Sequence, residues 1–206
     1  MFSIELHEVG KKFGKQWLFK QLQFAFYQGK SYAITGNNGS GKSTLLQLLL
    51  GYQSITKGEI IWQVNQQKIS AEQVVKYAGF VGPYLDLPDE LTLTEQLKFH
   101  FTFKEIRSQM EISDIINAIG LSNSADKKLK YFSSGMRQRV KLAQLFYTNL
   151  PVLFFDEPCT NLDESGIKWY RDEIKSCIKD RLIIIASNQT FEYDFVDEVM
   201  VIPTII

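Results

Sequence analysis

The segment Gly36-Asn37-Asn38-Gly39-Ser40-Gly41-Lys42-Ser43-Thr44 restricts the chain to few folds. It follows the apolar run Tyr32-Ala33-Ile34 and opens the leucine-rich run Leu45 to Leu50. That order reads as strand, glycine loop, helix. The spacing fits the phosphate-binding loop G-x-x-x-x-G-K-S/T. Gly36, Gly39 and Gly41 permit positive φ angles and close approach of the backbone to an anion. The loop N–H groups then form an anion nest, and the helix beginning near Lys42 adds its N-terminal dipole. Lys42 is placed to reach β and γ phosphates, and Ser43 to hold Mg2+. The blander reading is a glycine turn that happens to end in Lys-Ser.

A chain of 206 residues suffices for one large domain with a buried core, or a domain with a subdomain. Lys+Arg and Asp+Glu both number 23, so no basic excess argues for nucleic acid or for an anionic membrane surface. Cys159 and Cys177 make neither a disulfide framework nor a metal cluster. The N-terminus lacks a signal pattern, and runs such as Leu182 to Ala186 are too short to span a membrane. The expectation is a cytoplasmic protein whose membrane role, if any, comes through a partner.

Phe2, Ile4 and Leu6 alternate with polar residues as in a half-buried strand, and Leu22, Phe24 and Phe26 repeat the pattern. Between them Gly10 to Lys15 reads as a loop around Phe13, and Thr56 to Glu59 as a turn before a strand at Ile60 to Val64. Tyr77 to Val81, Val152 to Phe155, Leu182 to Ala186 and Glu198 to Ile202 read as further strands. Thr92 and Glu95 form a capping box for a helix through Phe103, although Phe99, Phe101 and Phe103 alternate as in a strand; core packing is the expected role for most of these aromatics, a partner-facing surface the alternative. Helices are expected at Glu111 to Ile119, Ser133 to Asn149 and Ser165 to Ile178. The fold class is therefore α/β: a P-loop NTPase core with a mostly parallel sheet, an N-terminal antiparallel region and an inserted helical subdomain. Residues 1–206 read as one domain, with the subdomain at 92–132.

Phe154-Phe155-Asp156-Glu157-Pro158 closes a buried strand. In a phosphate-loop ATPase the terminal Asp of such a strand, here Asp156, holds Mg2+. Glu157 then polarises a water for attack on the γ phosphate. Alone, the pair could equally be two exposed acids at a strand end.

With these elements placed, the chain resembles the nucleotide-binding domain of ABC transporters over nearly its whole length. Phe132-Ser133-Ser134-Gly135-Met136, then Arg137-Gln138-Arg139, is similar to the family signature L-S-G-G-Q, and Asn161-Leu162-Asp163 to its D-loop. Phe13 lies where the family stacks an aromatic ring on adenine. Out of this context Phe13 reads as a packed loop aromatic and Ser133 as an ordinary helix N-cap. The resemblance implies an ATPase with ATP and Mg2+ as ligands. It implies ATP-driven pairing, expected to be with a second copy, in which Ser133 and Gly135 of one chain close over the partner's γ phosphate and Asp163 lies at the seam. It also implies separate transmembrane permease subunits and a peripheral place at the inner face of the membrane. The compact length and the loop around Gly82 to Thr92 resemble those of small exporter ATPases such as the haem-exporter subunit of cytochrome c maturation.

Three positions depart from the family pattern. Asn188 stands where a His usually contacts the γ phosphate, and Asn cannot carry a charge near neutral pH. Pro83 and Tyr84 occupy the neighbourhood of a Gln that reaches Mg2+, and Ser134 and Met136 replace Gly and Gln. His7 and His100 read as surface or packing residues. Binding is expected to survive these departures, with slow turnover and Asn188 as one cause. Two alternatives stay open: a non-transport ABC-type ATPase, and an ATP-binding subunit with little or no hydrolysis. A basic surface or a second such domain would favour the former, and absent turnover the latter.

Overall fold

The computed structural model describes Met1–Pro203, and residues 204–206 lie outside the described residues. The chain forms two compact units. The first comprises Met1–Phe80, Pro151–Glu157 and the segment from Ile178 onward, and the second Val81–Leu150 and Pro158–Cys177. The expected helical stretch at 92–132 falls inside the second.

The first unit holds two sheets. Strands β1 (Phe2–Phe13) and β2 (Gln16–Tyr27) pair antiparallel, and β1 also pairs with β4 (Lys57–Val64). The Gly10 to Lys15 segment is thus not a loop. Strand pairing continues to Phe13 opposite Gln16, which leaves a turn of Gly14 and Lys15. Lysine stems and aromatic rings make the polar sequence ladder-competent: Lys12 and Lys20 lie 5.5 and 5.2 Å from the Trp17 ring centroid. Likewise the expected turn at Thr56 to Glu59 is mostly strand. Gly58 (φ +89) faces Glu8 (φ +49) in a bulge, which absorbs the irregularity without ending β4. Asn65 and Gln66, both at positive φ, make the tight turn into β5 (Gln67–Ile69), and the short helix α2 (Ala71–Val74) follows.

The second sheet has the order β6-β7-β8-β3-β9. Its members are β3 (Ser31–Thr35), β6 (Ala78–Val81), β7 (Val152–Asp156), β8 (Leu182–Ala186) and β9 (Glu198–Val201). β3 runs parallel to β8 and β9, and β7 parallel to β8. Every residue of β7 and β8 is buried, which explains their unbroken apolar sequence. Helix α1 (Lys42–Leu49) packs on β7 and β8 through Leu45, Leu46, Leu48 and Leu49. It ends in a Schellman turn. Gly51 (φ +75) donates to Leu48 O and Tyr52 to Gln47 O.

The second unit contains α3 (Leu93–Phe103), α4 (Ile112–Ala118), α5 (Ser134–Phe146) and α6 (Glu164–Cys177). The Thr92–Glu95 capping box forms as expected, with bonds of 3.2 and 2.8 Å. Helix α5 stops three residues before Asn149. Residues 105–107 claim its C-terminal flank: Arg107 N–H donates to Tyr147 O and Asn149 N–H to Glu105 O. Core packing was the expected role for most of the phenylalanines of α3. Instead Phe99 and Phe103 are 57% and 72% exposed and meet edge to face at 5.4 Å, one turn apart. Among the described residues no helix is long and apolar enough to cross a membrane.

His7 lies at the surface beside Glu5, whereas His100 is partly buried and bonded to Thr148 Oγ1 at 2.9 Å. Burial, with Lys104 nearby, pushes the His100 pKa down to about 4. The unfolded chain protonates this group from about pH 6.5 downward while the native chain does not. Stability is therefore full above about pH 6.5 and falls as the pH drops toward 4. After discounting for solvent screening the expected loss is about 1–2 kcal/mol. Urea titrations at pH 7 and pH 5 should show it, and His100→Gln should remove that part of the slope.

Candidate functional site

In the first unit the chain leaves β3 at Thr35 and turns through the glycine loop into α1. Gly36, Gly39 and Gly41 take φ of +146, +81 and +99. The last has a second constraint: a Cβ there would lie 2.4 Å from Leu18 Cδ2. Lys42 is buried, and its ammonium donates to the carbonyls of Gly36 (2.9 Å) and Asn37 (3.4 Å). The loop is thus folded around its own cation. Ser40 N–H closes it on Asn37 O at 3.0 Å. Ser40 Oγ is buried and, among the described residues, has no hydrogen-bond partner. An orphan hydroxyl inside a glycine cradle suits a polar ligand.

A cleft of about 340 Å3 opens on this loop, lined by Phe13, Leu18, Asn38, Lys42, Thr44 and Glu157 among others, with Gly39, Gly41 and Ser43 completing its wall. Asp156 ends β7 in the same unit, with its side chain bonded to the Ser43 hydroxyl. Burial raises the Asp156 pKa, the Ser43 hydroxyl and Lys42 ammonium oppose this, and Glu157 adds to it. A buried acid held by a hydroxyl at a helix start is a suitable donor set for a hard divalent cation. Glu157, by contrast, is exposed and takes φ +47, a strained value for a non-glycine residue. Its N–H is fixed on Ala186 O at 2.9 Å. Asn188, beyond β8, donates from Nδ2 to Asn38 Oδ1 at 2.7 Å, so it is tied to the loop itself.

The remaining expected site residues lie in the second unit. Ser133 caps α5, its hydroxyl accepting from Met136 N–H at 3.2 Å. A Cβ on Gly135 would lie 2.7 Å from the carbonyl oxygen of Asn161. Asp163 accepts from Gly166 N–H (2.8 Å), Arg139 (2.7 Å) and Ser165 Oγ (3.0 Å). The Gly166 N–H, then Arg139 and Ser165, hold its carboxyl below the usual range. These residues surround a pocket of about 540 Å3 that also includes Gly120 and Leu121.

Leu18, Ser40 as an orphan donor, and Arg139 as the partner of Asp163 had not been assigned these roles from sequence. A charge signal was also missed beneath the zero net charge. From Val9 to Gly58 the chain has no Asp or Glu and seven lysines, so the glycine loop lies in a wholly cationic stretch.

A family model described as "ABC transporter" matches residues 19–160. The chain belongs to that family, as one of its ATP-binding proteins. It is 28% identical over 195 residues to the uncharacterized ABC transporter ATP-binding protein YhcH of Bacillus subtilis (strain 168), covering 93% of this chain. The chain spans only 63% of that relative's length. It is 32% identical over 151 residues to the cytochrome c biogenesis ATP-binding export protein CcmA of Aliivibrio fischeri, covering 73% of this chain and 74% of that one. The dimeric ATP-binding cassette MJ0796, in a post-hydrolysis state bound to ADP and Pi, shares the fold. The TM-score is 0.80 at 22% identity, over 97% of this chain and 94% of that one.

Proposed function

We propose that the chain binds and hydrolyses ATP at the phosphate loop, as the motor of a transporter whose membrane subunits are separate chains. The observation that carries this reading is the positive-φ glycine loop closed on Lys42, beside the buried Asp156–Ser43 pair. Gly36 to Thr44 enclose the phosphates, Lys42 exchanges its loop carbonyls for phosphate oxygens, and Phe13 offers a ring to the base. Ser43 and Asp156 are the residues that would hold Mg2+, which would supply neutralisation of phosphate charge there. Glu157 accepts a proton from the attacking water.

In this reading the site is completed by a second copy arranged head to tail. Its Ser133 hydroxyl, its Gly135 N–H and the α5 N-terminus face the γ phosphate, and its Asp163 lies at the seam. The second copy's contacts to the γ phosphate are then made only in the paired state, so hydrolysis, which removes them, releases the pair. The protein is placed at the cytoplasmic face of the membrane through its partners, and the CcmA relationship supports export as the direction. The test is the steady-state ATPase rate against protein concentration. A pair with shared sites gives a rate that rises more steeply than linearly below the dimerisation constant. A strictly linear rise over the whole range would reject the shared site.

The Asn188–Asn38 bond supports a second element, slow turnover. A neutral amide tied to the loop supplies a weaker donor to the phosphate than an imidazolium. Asn188→His is expected to raise kcat by about tenfold, one charge-assisted bond's worth. An unchanged kcat in steady-state assays would clear Asn188 of that role.

A further inference from the structure

The β1–β2 hairpin carries a contact that the phosphate site does not use. Lys11 Nζ lies 5.0 Å from the centroid of the Phe13 ring. The same ammonium donates to Ser54 O at 2.7 Å. Phe13 lines the phosphate-loop cleft, and Lys11 is not among the residues that line it. Two further bonds fasten the strand to the same segment: Thr56 N–H donates to Gly10 O at 2.8 Å, and Lys12 N–H to the Thr56 side-chain Oγ1 at 3.1 Å.

Segment 54–56 comes shortly after α1, the helix that starts at the phosphate loop. One helix therefore presents phosphate-binding groups at its start and, just past its end, anchors the strand that bears Phe13. The Phe13 ring is 56% exposed, so packing restrains its orientation only in part. A cation held 5.0 Å from its centroid supplies a further restraint, and it engages only one face of the ring.

We propose that Lys11 is a positioning residue for base recognition: tethered to Ser54, it holds the Phe13 ring with one face presented to the cleft for a nucleotide base. This rests on the reading of the cleft as an ATP site. A rival role for Lys11 is plain charge attraction, which would act on any polyphosphate. The two differ in whether the base matters.

The test measures affinities of the full chain for Mg2+-ATP and for inorganic tripolyphosphate with Mg2+, by calorimetry. Lys11→Met keeps the apolar stem and loses the charge and the Ser54 bond. It should weaken ATP about three- to tenfold and leave tripolyphosphate within about twofold. Lys11→Arg, which can both stack and donate, should restore ATP binding. Phe13→Ala should weaken ATP at least as much, again sparing tripolyphosphate. Equal weakening of both ligands by Lys11→Met, or weakening of neither, overturns the proposal. If Phe13→Ala lowers ATP affinity and Lys11→Met does not, only the Lys11 role fails. If Phe13→Ala also leaves ATP affinity unchanged, base stacking itself is wrong and the proposal falls with it.

Discussion

Glu157→Gln is expected to lower steady-state ATP turnover by roughly 10²- to 10⁴-fold, with ATP affinity changed by no more than about twofold. The substitution keeps shape and removes the ability to accept a proton. Glu157 is exposed at the cleft, and its backbone is held by the Ala186 bond at 2.9 Å, so the amide should occupy the same position. Asp156 is different: buried and bonded to Ser43, its loss should reduce Mg2+-dependent affinity as well as rate. The contrast assigns the two neighbours to different jobs. If Glu157→Gln turned over at the wild-type rate, the proton acceptor would have to be sought elsewhere. Steady-state assays at saturating Mg2+-ATP give the turnover, and equilibrium binding of radiolabelled ATP gives the affinity.

The local structure of the candidate site was legible because each element's pattern is local. Three glycines at fixed spacing, a Lys-Ser pair and an acidic strand end each need only their neighbours in sequence, and each lies where the reading placed it. The N-terminal hairpin was misread for the opposite reason. Gly10 to Lys15 is polar and glycine-bearing, and its strand character comes from β2 and β4 across the ladder, information that no local window holds. The early end of α5 has the same cause, since residues 105–107 compete for its last turn. Phe99 and Phe103 were expected to pack, but a helix periodicity cannot say which apolar face finds a partner within the chain. Net charge hid the cationic stretch because 23 acids and 23 bases cancel over the whole chain, not over 9–58.

The second large effect is expected from Gly135→Ala. Helix α5 accepts alanine by propensity, so the harm is steric: the new Cβ would lie 2.7 Å from the Asn161 carbonyl, a backbone atom that cannot rotate away. Asn161 is itself at φ +66 and shares its loop with the thrice-bonded Asp163, which leaves that segment little freedom to yield. The start of α5 must shift instead, and with it the Ser133 cap. On the head-to-tail proposal this harms the partner's site and spares the chain's own phosphate loop. Turnover should drop by about 10²-fold or more, as when an aligned donor is lost, while ATP affinity of the separated chain is kept. Lys42→Ala should do the reverse, losing its own loop cation and keeping an intact Ser133–Gly135 surface. Each variant alone is then inactive. Mixed in equal amounts, they form pairs in which one site joins the intact phosphate loop of the Gly135→Ala chain to the intact α5 start of the Lys42→Ala chain. With random pairing, activity should return to roughly a quarter of wild type, half the pairs having one of two sites intact. Sites complete within one chain predict no recovery at any mixing ratio, because each chain would carry its own lesion.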